Sequence, residues 1–78
     1  MATAQIKLNL NGNSQEYLNA RPRLQAGLDN IALLHNAKDT IKVFNAVGMT
    51  RVTVDVNYMS GAMLRDVVNY LDEMGVLD

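Results

Sequence analysis

Apolar and polar residues alternate from Ala4 to Leu10, with Ile6, Leu8 and Leu10 apolar and Gln5, Lys7 and Asn9 polar. A period of two sends successive side chains to opposite faces, so this stretch predicts a half-buried strand. Asn11-Gly12-Asn13 ends it, because Asn and Gly accept the positive φ that turns require. Ser14 is placed to cap a helix. Pro22 lacks a backbone donor and disfavours the α conformation at Arg21. The pattern therefore predicts a short helical turn over Gln15–Ala20 and a new helix with Pro22 in its first turn. Leu24, Leu28 and Ile31 form one helical stripe, Leu34 extends it, and His35 lies near the same face.

Asn36 to Asp39 reads as a weak break. From Thr40 to Val47, the spacing of Ile41, Phe44 and Val47 is helical, and Gly48 is placed as a terminator. The pattern leaves open whether residues 23–47 form one helix or two. Met49 to Val56 alternates again, with Val52, Val54 and Val56 against Arg51, Thr53 and Asp55, and its β-branched residues favour a strand. Asn57 to Gly61 reads as a connection. Ala62 to Met74 predicts a helix with Met63 or Leu64, Val67, Val68, Leu71 and Met74 on its apolar side, ended by Gly75. Val76 and Leu77 are expected to fold back onto the core.

The expected class is therefore α+β in a single domain over residues 1–78. The predicted order is β-α-α-β-α, with two short strands packed against helices. Two strands make a marginal sheet. Either they pair with each other under the helices, or a dimer completes them.

Composition narrows the chemistry. The chain has 78 residues, no Cys and one His, which excludes disulfides and thiolate or histidine-rich metal sites. A chain this short is marginally stable, and self-association is a remaining support, so a homodimer is a reasonable expectation. Hydrophobic residues make up 49% and net charge is −1, the balance of a globular domain without a strongly basic surface. Met1 to Gln5 carry no basic start to a signal peptide, and no long apolar run follows, so a cytoplasmic protein without a membrane span is expected. Asn occurs nine times, several of them in segments read as helical.

Few residues offer catalysis. His35 is the one side chain suited to acid/base work near neutrality, and Asp39, four residues on, is its best partner if the helix continues. Ser14 and Ser60 both read as helix caps. The glycines form no phosphate-binding pattern and the carboxylates no calcium loop. The expectation is a protein that is not an enzyme and holds no cofactor or metal. Charge is uneven: residues 1–51 are net basic and residues 52–78 net acidic. Either the halves balance on packing, or the acidic C-terminal helix offers a face to a basic partner.

Two functional readings follow. The first is a non-catalytic protein-interaction module (an adaptor, inhibitor or assembly component, of a kind that phages also encode) that binds another protein. Tyr58, Met59, Met63 and Tyr70 gather around the last helix as its candidate contacts, since Tyr and Met are favoured at interfaces. The second rests on Gln5-Ile6-Lys7-Leu8-Asn9-Leu10 with two helices after it, which over residues 4–47 resembles the ribbon-helix-helix layout. That resemblance implies a DNA-binding regulator whose paired strand enters the major groove, with Gln5, Lys7 and Asn9 as the readers. Pro22, the added strand and helix, and the negative net charge depart from that pattern.

Overall fold

The structure is a computed structural model that describes residues 2–45, 48, 50–58 and 60–77. It has the order β-α-β-β-α: β1 (Ala2–Asn11), α1 (Gln15–Leu34), β2 (Ile41–Phe44), β3 (Arg51–Tyr58) and α2 (Gly61–Glu73). The α+β class expected from the sequence holds, and the expected order does not. The three strands form one antiparallel sheet in the order β1-β3-β2. Three strands pair within the chain, where two were expected.

The correction falls on residues 15–47. Gln15–Leu34 is one helix that runs through Pro22. Proline removes the bond to the Leu18 carbonyl one turn earlier. Leu18 and Pro22 both lie on the exposed side of α1, where water can take that carbonyl. The helix ends more decisively than Asn36 to Asp39 suggested. Asn36 adopts φ 57°, and the amides of Asn36 and Ala37 reach back to the carbonyls of Leu33 and Ala32. This is a Schellman closure with Asn in the left-handed position. Asp39 is left-handed as well, at φ 65°.

The chain then leaves extended, and the expected helix over Thr40–Val47 is replaced by β2. Ile41 and Val43 are buried and Lys42 is exposed, a period of two that the helical spacing of Ile41 and Phe44 concealed. Val47 lies outside the described residues. Gly48, expected to terminate a helix, takes φ 81° in the β2–β3 connection. Leu34 does not extend the α1 stripe: it is 77% exposed, and Ala32 takes the buried place beyond Leu28.

Val68, expected on the apolar side of α2, is exposed, and Asn57 and Tyr58, expected in a connection, end β3. Ser14 and Ser60 cap α1 and α2, their side chains accepting from the Tyr17 and Met63 amides. Gly75, at φ 71°, closes α2 with the Schellman bonds seen after α1, from Gly75 to Asp72 and from Val76 to Leu71. Val76 is buried.

Both helices cover one face of the sheet. Leu24 and Leu28 of α1 share a core with Met63, Val67 and Leu71 of α2 and with Leu8, Ile41, Val43, Val52, Val54 and Val56 of the strands. The helices run antiparallel. His35 at the end of α1 meets Asp66 near the start of α2, and Tyr70 farther along α2 meets the Arg23–Gly27 turn.

Candidate functional site

With the helices on one side, the other face of the sheet is left without a covering layer. The register builds it in rows. Thr3 opposes Asn57, Gln5 opposes Asp55 with Lys42 on the far side, and Lys7 opposes Thr53 with Phe44 beyond. The Thr3 hydroxyl donates to Asn57 Oδ1 at 2.8 Å, a direct cross-strand tie. Thr53 is only 7% exposed although it points to this face, because Lys7 and Phe44 flank it. Asp55 Oδ1 is buried without a hydrogen-bond partner.

Charge separates between the layers as well as between the halves of the chain. Among the described residues, the open face carries Lys7, Lys42 and Arg51 against the carboxylate of Asp55. The helices and their ends carry Glu16, Asp29, Asp39, Asp66, Asp72 and Glu73 against Arg21, Arg23, Lys38 and Arg65. A chain of net charge −1 thus presents a sheet face that is locally basic.

The two sheet edges are treated differently. The Asn57 amide donates to the Thr40 carbonyl, so alternate residues of β3 face β2 and the others face β1. It follows that Thr40 and Lys42 turn their backbone groups inward while Ile41 and Val43 turn theirs to the outer edge of β2. That edge is occupied. Gln25 of α1 donates through Nε2 to the Ile41 carbonyl at 3.2 Å and accepts the Val43 amide on Oε1 at 3.0 Å. Its Nε2 also donates to Asp29 Oδ1 at 2.8 Å, which fixes the carboxamide.

On β1 the same logic gives Ala2, Ala4 and Ile6 to the ladder with β3, and it turns the N–H and C=O groups of Thr3, Gln5 and Lys7 outward. Only the far end of this edge is paired. Lys7 opposes Thr53 and Asn11 opposes Arg51, so Leu8, Asn9 and Leu10 lie opposite Val52 alone, an irregularity that bends the strand. There the Asn9 amide donates to the Val76 carbonyl at 2.7 Å and Leu8 bridges to Leu77. Among the described residues, nothing pairs with the outer edge at Thr3 and Gln5.

The structure distributes the sequence candidates unevenly. Gln5 and Lys7 stand together on the open face and the free edge. Asn9 is exposed but belongs to the paired end. Met63 is 1% exposed and is a core residue. Tyr70 is half-buried, its ring against Gly27 and its hydroxyl donating to the Arg23 carbonyl at 3.2 Å. Tyr58 is half-buried opposite Ala2, and Met59 lies outside the described residues. The layout that the ribbon-helix-helix resemblance implies is not found: one helix follows β1, and the partner of β1 is β3 of the same chain.

His35 does not reach Asp39. Its Nε2 lies 2.7 Å from Asp66 Oδ2. Helix α1 has ended by then, and the left-handed Asn36 and Asp39 carry the chain away. Among the described residues, no nucleophilic side chain shares a hydrogen bond with this pair, and its evident effect is to tie the two helix ends together. Among the described residues there is no cluster of metal-ligating side chains, no enclosed pocket and no helix long and apolar enough to cross a membrane.

Gln25, Lys42 and Phe44 were missed as site residues because residues 40–47 read as helix. The available signal was the alternation Ile41-Lys42-Val43 after β-branched Thr40. No protein-family model, curated protein or solved structure matches this chain.

Proposed function

We propose that this protein is a non-catalytic interaction module that binds an extended segment of another protein as an added strand along β1. One observation carries the reading: the edge of β2 is held by Gln25, whereas the edge of β1 at Thr3 and Gln5 has no partner among the described residues. An open strand edge is a template for pairing, and proteins that do not use one usually blunt or cover it. Strand addition draws affinity from main-chain hydrogen bonds and specificity from alternate side chains. Here the same residues offer both. Thr3, Gln5 and Lys7 aim their backbone groups at the edge and their side chains at the open face.

The proposed surface differs from the Tyr58, Met59, Met63 and Tyr70 patch, since Met63 and Tyr70 are engaged inside the fold. A second reading draws on the basic rows of the open face. Lys7 and Lys42 would then contact the phosphates of a nucleic acid, with Gln5 beside them. Such binding falls steeply with salt because phosphate contacts release counterions.

The test is capture of a partner from native extract on the wild-type protein and on Gln5→Pro, each washed at low and high salt. The Gln5 amide faces outward, so proline at this position spares the ladder to β3 while removing an edge donor. A protein retained at high salt by wild type and lost by Gln5→Pro is the expected result. Equal retention by both removes β1 from the reading. Recovery of nucleic acid that high salt releases favours the second reading.

A further inference from the structure

We infer that the segment taken up by β1 is acidic on one face and apolar on the other, an alternation of carboxylate and aliphatic side chains. This rests on the strand-addition reading above and adds the chemistry of the partner.

The inference follows from what an added strand would touch. Side chains of paired strands stand opposite one another on each face of the sheet, with Cβ atoms about 4.5–5.5 Å apart. On the open face the neighbours are Thr3, Gln5 and Lys7, and β1 holds no Asp or Glu from Ala2 to Asn11. Lys42 lies farther in, on β2 beyond Asp55, and does not border the added strand, so Lys7 is the cation that does. The carboxylate of this face, Asp55, sits on β3 on the far side of β1 from the edge and does not border the added strand. A carboxylate opposite Lys7 makes a favourable cross-strand pair, and a cation there is repelled. On the helix-covered face the neighbours are Ala4 and Ile6, both half-buried at the rim of the core. Aliphatic side chains of the partner would complete their burial. Carboxylates on that face would lose hydration against an apolar rim without a cation to meet.

An edge lysine also occurs where a protein only discourages pairing. Lys7 differs from such a guard in its placement. It stands beside the end that Val76 and Leu77 already pair, while Thr3 and Gln5 are left with no charge of their own.

The test is a titration of the isotopically labelled protein, followed by amide NMR shifts. The probes are three capped octapeptides: alternating Glu and Val, alternating Lys and Val, and alternating Glu and Val with a central proline. A single-stranded oligonucleotide is the fourth probe. The inference expects the Glu-Val peptide to shift the Thr3, Gln5 and Lys7 amides and to bind about two- to fivefold tighter than the Lys-Val peptide, the size of one cross-strand charge pair. The proline peptide should bind more weakly, and Lys7→Glu should reverse the preference between Glu-Val and Lys-Val. Equal binding of both charged peptides at those amides overturns the acidic preference and leaves strand addition standing. If no peptide moves those amides, both readings fall. Shifts at Lys7 and Lys42 with the oligonucleotide alone would replace them with nucleic-acid binding.

Discussion

Gln25 lies against Val43 as the peptide unit of a neighbouring strand would, its Oε1 accepting the Val43 amide at 3.0 Å while its Nε2 donates to the Ile41 carbonyl at 3.2 Å. A side-chain amide has the same donor and acceptor as a backbone peptide, so one residue of α1 satisfies two of the outward groups of β2, the Ile41 carbonyl and the Val43 amide. Replacing it leaves those groups part-buried and unpaired. Gln25→Ala is expected to cost about 1–3 kcal/mol and to speed hydrogen exchange at the Val43 amide. Gln25→Glu keeps the acceptor for Val43, loses the donor to Ile41 and sets a second carboxylate beside Asp29, so it should be no more stable than Gln25→Ala. Denaturant unfolding with amide exchange at Val43 checks both. Unchanged Val43 protection in Gln25→Ala would remove the role assigned to Gln25.

Tyr70 and Gly27 make a second prediction. A Cβ on Gly27 would meet the Tyr70 ring, whose hydroxyl holds the Arg23 carbonyl. Alanine gains about 1 kcal/mol of helix propensity over glycine, and overpacking costs about 1–3 kcal/mol. The second effect should win, so Gly27→Ala is expected to destabilise the wild type. In a Tyr70→Ala background the clash is gone and the same change should stabilise. A double-mutant cycle by thermal unfolding reads the reversal of sign.

The two Schellman closures differ in one residue and predict opposite responses. Gly75 occupies its left-handed position without strain, and Gly75→Ala should cost about 1–2 kcal/mol. Asn36 occupies the matching position after α1 with a side chain that tolerates it only partly. Asn36→Gly should be neutral or stabilising by less than about 1 kcal/mol. Chemical denaturation of both variants tests the pair.

The His35–Asp66 contact is half-open to solvent, with Asp66 54% exposed. Exposed pairs contribute about 0–1 kcal/mol, so His35→Ala should shift unfolding only slightly and leave partner binding intact. Loss of binding in that variant would place the working surface at the helix ends.

Much of the fold was legible in the sequence where one physical signal acted alone. The alternations around Ile6–Leu10 and Val52–Val56, the serine caps and Gly75 all report local chemistry. The failures came where two signals competed. At Ile41–Phe44 a short apolar run fits both periods, and only the left-handed turns at Asn36 and Asp39, which no side-chain pattern announces, turn the chain into a strand. At Pro22 a local penalty was overridden by the burial of Leu24 and Leu28 along an otherwise regular helix. Gln5 and Lys7 were legible as candidates because they lie on a strand. Their shared edge was not, since it depends on strand order, which sets Gln25 against β2 and, among the described residues, leaves Thr3 and Gln5 of β1 without a partner. Met63 shows the reverse case: a residue type favoured at interfaces that the α2 stripe carries into the core.

The central claim, that β1 is the pairing edge and β2 the closed one, is tested most directly by amide hydrogen exchange on the free protein and on its complex with the partner segment. The account predicts fast exchange at Thr3, Gln5 and Lys7 in the free protein, slow exchange at Val43 and Asn9, and new protection at Thr3, Gln5 and Lys7 in the complex. Protection of Thr3 and Gln5 before any partner is added, or a complex that leaves them exchanging freely, would contradict it.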